Sequence, residues 1–413
     1  ICRLFDNSNE RLRRTIMENS TEVVVIGAGV VGCSVAYYLA EAGAKVVLVE
    51  RDSIGSGSSA HATGFLSLLG AEFSPGPSFE LGLAGYHEFP QLVQRLEEET
   101  GMDLLFQRRT SLRLALEENE ENLIKEMMEW QQESVDMKWI EAEEVHQIQP
   151  GLSPMVRGAV LETESSQLDS YRLNLALGDG SERKGAKILL RDVTGLVTRE
   201  STVTGVSTSA GNIACDMVVI AAGTWSSAFS ETLGFPIPVK ALKGERLVLR
   251  YPGEPLRALI SSPQRGHMIS RLDGTLSVGS TGGRDYDRRD LFGSDEFDRQ
   301  PTEAAKVDLL QRAMEVFPDI ERAELIQQLA GSRPLSADKM PIIGKVPGWQ
   351  GVMLATGHTT KGIHLGPITG KIIANTILAG SPNVGIDLTE FLPDRFADVD
   401  QEAFYVSSQN VDE

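Results

Sequence analysis

Apolar positions change their period several times along this chain, and each change marks an element. Residues 22–26, EVVVI, are β-branched and apolar in succession, as in a strand buried on both faces. Residues 30–42 then place Val31, Val35 and Leu39 on one helical face and stop near Gly43. KVVLV, which ends at Glu50, predicts a second buried strand. Further on, 117–134 carries Leu123, Met127 and Trp130 at helical intervals, and 302–316 carries Ala305, Leu309 and Met314. Within 236–282 the runs ERLVLRY and GTLSVGS alternate as antiparallel strands do. IACDMVVI reads as one more short apolar strand and ITGKIIANTIL as a helix near the end. These elements predict an α/β unit joined to an antiparallel sheet, α+β overall.

Composition narrows the function. The 413 residues allow two or three domain-sized units, and 41% hydrophobic content is that of a globular chain. A formal charge of −19 argues against a nucleic-acid partner, which needs clustered cations. No apolar run approaches the roughly 18 residues of a membrane span. Cys2, Cys33 and Cys215 form neither a close pair nor a metal spacing, so a reducing, cytoplasmic setting is expected. The six histidines are scattered, so no metal site is expected. Residues 1–16 hold four arginines and no apolar segment. They read as an extension, with the fold starting near Thr21. The acidic tail after Phe396 reads as loose.

The chemistry starts between the first strand and the first helix. Gly27, Gly29 and Gly32 have G-x-G-x-x-G spacing. Gly27 permits the tight turn, Gly29 lets a pyrophosphate approach the backbone, and Gly32 lets helix and strand pack closely. The helix start presents free N–H groups to phosphate. Glu50, 23 positions beyond Gly27, stands where an acid accepts from ribose hydroxyls. Together these predict a bound dinucleotide, either NAD or FAD. The Gly/Ser-rich stretch after Glu50, with Ser56, Ser58, Ser59, Thr63 and Gly64, can serve a second length of phosphate.

With these residues in place the chain resembles the FAD-dependent amine and amino-acid oxidoreductases: glycine oxidase, D-amino-acid oxidase, sarcosine oxidase and dimethylglycine dehydrogenase relatives. The resemblance runs from about Val23 to about Phe396. It rests also on MVVIAAGTWS (217–226), GSRPLSADKMPIIG (331–344) and MLATGHTTKGIHLGPITGK (353–371). It implies a discontinuous, Rossmann-like FAD-binding domain from 21–85, 150–235 and 325–396. A substrate domain would comprise 86–149 and 236–324, leaving 1–20 and 397–413 outside the fold. Cofactor contacts are implied at Val30, Val31 and Arg51, and at Val193, Ala222, Gly223 and Trp225. The segment around His358, Thr359, Thr360, Lys361, Gly362, Ile363 and His364 would lie against the flavin. There Gly362 and Gly366 would allow close approach, and Lys361 or the following helix would favour the charge gathered by the reduced ring.

Arg333, in G-S-R-P, has the planar fork that suits a substrate carboxylate, and the resembled glycine oxidases use this arginine so. Two departures from glycine oxidase stand out: His267 where a tyrosine is expected, and Thr360 where a second arginine is expected. They favour a bulkier or N-substituted amine over glycine. Phe65 is placed to line the same pocket. His61, in GSSAHATG, resembles the histidine that dimethylglycine dehydrogenase joins to its flavin, although a non-covalent contact is the simpler reading. The implied reaction is hydride transfer from the substrate α-carbon to flavin N5, which requires few protein groups. Dioxygen or an electron carrier would reoxidise the flavin, and a homo-oligomer is compatible. Two alternatives are a 2-hydroxy-acid dehydrogenase on the same fold and a catalytically silent flavoprotein serving as an assembly module.

Overall fold

The computed structural model describes residues 20–281 and 299–398. The expected extension, apart from Ser20, and most of the expected tail lie outside these residues. A first sheet is built on parallel strands. Val46–Glu50 runs between Ser20–Ile26 and Lys187–Leu190. Ser20–Ile26 pairs on its other side with Gly211–Ile220, which continues to Val352–Thr356. An antiparallel hairpin, Val193–Arg199 and Thr202–Thr208, pairs with the first half of Gly211–Ile220. Alternation along the first strand feeds two cores. Val23 and Val25 enter the core shared with the helices, while Val24 and Ile26 enter a core on the opposite face.

Helix Val30–Glu41 is buried on nearly every side, not on the one face its apolar spacing marks. Helix Gly362–Ala379 covers it closely because Gly366 and Gly370 face it. A Cβ on Gly366 would sit 3.0 Å from Val30, and one on Gly370 would sit 2.6 Å from the Ser34 backbone. Gly366, expected beside the flavin, therefore serves helix packing. Helix Glu303–Val316 also differs: it buries Leu309, Ala313 and Val316, leaving Met314 exposed.

The second sheet runs in the order Glu324–Ser336, Val239–Arg250, Leu276–Gly279, Gly266–Ser270, Leu259–Ser262, Ser111–Ala115, Gly158–Glu162, Met137–Glu141. Only Leu259–Ser262 and Ser111–Ala115 pair in parallel. The expected boundaries shift accordingly. Gly158–Glu162 and Glu324–Ser336, placed by sequence mainly with the nucleotide unit, pair within this sheet. Helix Pro77–Thr100, cut at 85 by the expected boundary, packs whole against Ser170–Arg183 and Gly362–Ala379. Boundary cues are local, whereas strand partners here lie up to two hundred positions apart.

The two faces of the second sheet differ in chemistry. Leu112, Leu114, Leu247, Leu249, Ile260, Met268, Leu276 and Val278 enter a core with Leu309 and Val316. The intervening positions line up across five strands in register: Arg246 opposite Gly279, Gly279 opposite His267, His267 opposite Ser261, and Ser261 opposite Arg113. This polar row faces the nucleotide unit.

Candidate active site

One cavity of about 530 Å³ runs from the glycine turn to the polar row. At its first end Gly27 takes a left-handed φ of +99°, and a Cβ on Gly32 would overlap the Gly27 carbonyl. Ser59 Oγ accepts from the Val30 N–H at 3.0 Å. The Glu50 carboxylate accepts from the Ala28 N–H at 2.8 Å and the Asp52 N–H at 3.0 Å. Asn174 Nδ2 donates to the Ala28 carbonyl at 2.9 Å, fixing the turn from the far side. A backbone cradle closed to side chains, a helix start and a fixed acid fit the pyrophosphate and ribose of a dinucleotide. Glu50→Ala removes both the brace on Ala28 and the ribose acceptor. FAD should then bind roughly tenfold to a hundredfold more weakly, as loss of a charge-assisted hydrogen bond implies, and fluorescence titration of the apoprotein measures this.

The Gly/Ser loop continues along the cavity. Ser58, Thr63 and Gly64 line it, as do Val31, Val193, Ala222 and Gly223. Trp225 lies across Gly57, where a Cβ would come within 3.3 Å of the ring. The Arg51 guanidinium covers this indole at 4.8 Å from the ring centre. Arg299, which no sequence motif marks, donates to the Ser56 carbonyl at 2.5 Å and approaches the same indole at 5.9 Å.

The whole segment 358–364 lines the cavity. The His358 ring pairs with Thr369 Oγ1 at 2.9 Å, and His364 Nε2 donates to the Gly82 carbonyl at 2.9 Å. Both imidazoles are therefore turned into helix packing. A Cβ on Gly362 would have nothing nearer than His358 Cβ at 3.8 Å, so the start of helix Gly362–Ala379 is open to approach. Its leading N–H groups have no acceptor within the helix. Thr359 donates its N–H to the Pro334 carbonyl at 2.9 Å, which joins this turn to the Arg333 strand. Lys361 stacks over Phe73 at 5.5 Å; burial lowers its pKa while Glu72 opposes the shift. Thr360 and Ile363 complete the lining.

At the far end Arg333 donates to the Thr281 carbonyl at 3.0 Å. Its guanidinium crosses Gly244, where any Cβ would overlap it. His267 lies 6.1 Å from Phe65, ring centre to ring centre. Burial, then Arg333, Arg246, Arg113 and Arg271, push its pKa down to about 3. His61 is also held neutral, by burial and Arg246, and its Nδ1 has no hydrogen-bond partner. Three arginines here were not singled out in the sequence. Arg113 pairs with Glu72, Arg271 pairs with Asp169 at 3.2 Å, and Arg246 donates to the His61 carbonyl at 2.7 Å. The available signal was alternation: Arg113 sits between Leu112 and Leu114, and Arg246 immediately precedes an apolar run. The buried Glu162 was also missed. It accepts from Ser67 Oγ at 2.6 Å and the Leu68 N–H at 3.1 Å, holding the loop after Phe65 in place.

Three imidazoles set a pH limit on stability. Burial pushes His267 and His358 to about 3 and His364 to about 4. Their folded values lie below the unfolded value near 6.5. The unfolded chain therefore takes up the protons first, and stability falls as pH drops from about 6.5 towards 4. At pH 5 each contributes a penalty of up to about 2 kcal/mol. Thermal unfolding between pH 7.5 and 5 should show the loss, with a shallower slope in His358→Asn.

A family model described as FAD dependent oxidoreductase matches residues 22–376. Glycine oxidase of Pseudomonas aeruginosa is 32% identical over 370 residues, covering 88% of this chain and 96% of that protein. Mouse mitochondrial dimethylglycine dehydrogenase is 29% identical, covering 92% of this chain and 44% of that protein. The crystal structure of glycine oxidase from Geobacillus kaustophilus superposes with a TM-score of 0.83 at 27% identity, over 91% of this chain and 98% of that one.

Proposed function

This chain belongs to the FAD-dependent oxidoreductase family, and from that premise we propose that it oxidises the C–N bond of a small amino acid or N-alkyl amino acid. The carrying observation is the position of Arg333, facing one end of a cavity whose other end is the Gly27–Gly32 cradle. FAD bound in that cradle supplies the two-electron acceptor for the substrate's α-C–H bond. Gly27, Gly29, Gly32, Glu50 and the loop through Gly64 hold its nucleotide half, while the start of helix Gly362–Ala379 and Lys361 favour negative charge at the ring end. Arg333 pins the carboxylate, and Phe65 and His267 bound the space left for the amine. Binding without a covalent bond is the simpler arrangement, so acid-denatured protein should leave its yellow colour in the supernatant; colour in the pellet would assign a bond to His61.

The electrostatics favour amines over 2-hydroxy acids. A hydroxyl must lose its proton to a base, and His267, pushed to about 3, is a poor one. An amine brings its own lone pair once it is neutral. The guanidinium groups that keep His267 neutral act in the same sense on a bound ammonium. The pH profile of kcat, which reports groups of the bound complex, should therefore break below the pKa of the free amine. Anaerobic bleaching of the flavin separates the readings. Sarcosine, proline or glycine should reduce it and lactate should not; bleaching by hydroxy acids alone would overturn the amine reading, and silence with every compound would favour an assembly role. Oxygen uptake on turnover distinguishes dioxygen from an electron carrier as oxidant. Among the described residues no helix is long and apolar enough to cross a membrane. Cys33 and Cys215 are buried free thiols, which suits the reducing, cytoplasmic setting we favour.

A further inference from the structure

The cations facing the cavity are not equally compensated. Arg113 has Glu72 and Arg271 has Asp169. Arg246 is 7% exposed and lines the cavity, yet among the described residues its hydrogen bonds go only to neutral acceptors, the His61 carbonyl at 2.7 Å and Ser277 Oγ at 3.2 Å. Asp169 and Asp273 act on it only through space, and burial together with Arg271 lowers its pKa to about 10. A buried guanidinium without an anion is costly, and buried charges are normally paired. The surroundings leave room for a partner. Arg246 and His267 lie on one face, separated by Gly279, at two strand spacings or roughly 9–10 Å. The Arg333 guanidinium crosses Gly244, two residues from Arg246 on the same strand and the same face, roughly 7 Å along it.

We propose that Arg246 receives a second carboxylate of the substrate, so that the substrate class is an amino acid bearing two carboxylates, such as an N-carboxyalkyl amino acid. This rests on reading the cavity as an amino-acid site. It adds that one carboxylate goes to Arg333 and the other to Arg246. Arg246 then becomes a selectivity device, because a monocarboxylate leaves it without its anion.

The test uses the FAD-loaded protein and unreactive probes. Shifts in the flavin's visible absorbance are titrated with propionate and butyrate, and with malonate, succinate and glutarate. At least one dicarboxylate should bind tenfold or more tightly than the monocarboxylates, as a charge-assisted hydrogen bond implies. Arg246→Gln should bring that ratio towards one, and Arg246→Lys should keep part of it. Kinetics should agree, with N-carboxymethylglycine preferred to sarcosine. Equal binding of both classes by the unaltered protein would overturn the proposal without recourse to a variant. A parallel loss of both classes in Arg246→Gln would also overturn it, reducing Arg246 to a clamp on the His61 segment. If added acetate tightens sarcosine, Arg246 serves a separate small anion and the substrate assignment falls. Failure of the amino-acid reading looks different, because no carboxylate of either class then perturbs the flavin.

Discussion

Arg333→Ala should lower kcat/KM for amino-acid substrates by about two to four decades, equivalent to roughly 3–5 kcal/mol for a buried carboxylate left without its partner. The loss should appear in KM as well as kcat, because the carboxylate is bound before the α-C–H bond is aligned. Arg333→Lys is the informative companion. It keeps the charge but loses the planar fork and the bond to the Thr281 carbonyl, so it should recover only part of the loss. The bound flavin should remain, since Arg333 belongs to the second sheet and not to the nucleotide cradle. A variant with unaltered kcat/KM for every amine tested would remove Arg333 as the anchor.

Gly32→Ala should give the second large effect, of a different kind. The added methyl would overlap the Gly27 carbonyl, so either the turn opens or helix Val30–Glu41 moves away from its strand. Overpacking of this sort costs about 1–3 kcal/mol, and more where backbone is the obstacle. The purified protein should be largely colourless, with a lowered Tm that excess FAD restores only in part. Gly370→Ala is the control. Its methyl would meet the Ser34 backbone at 2.6 Å, outside the cavity lining. It should lower Tm while FAD affinity, measured below the transition, changes far less. Full colour in Gly32→Ala would contradict the close packing of turn and helix.

The nucleotide unit was the legible part of the sequence. Strand, G-x-G-x-x-G turn, helix, second strand and Glu50 are consecutive, and each has its own local signal. The end where Arg333 acts was legible only through resemblance, since no local pattern distinguishes an arginine facing a cavity from one in a surface ion pair. Arg246, Arg113 and Glu162 escaped for a related reason. Their importance comes from register across strands distant in sequence, and a single strand cannot reveal its neighbours. Gly366 shows the opposite error: a glycine next to a site invites a ligand explanation when helix contact is the cause. His358 and His364 line the cavity, but the partners that hold their rings, Thr369 and the Gly82 carbonyl, carry no local signal in the sequence.

The two-faced second sheet has a consequence for how this enzyme can change. Arg246 and Leu247 are adjacent, as are Leu112 and Arg113, so guanidinium and aliphatic groups alternate with a period of two. Adding or deleting one residue in either strand would exchange the faces, driving cations into the apolar layer and leucines towards the substrate. New preferences can therefore arise here by replacement at fixed positions, while changes of length are confined to the connecting loops.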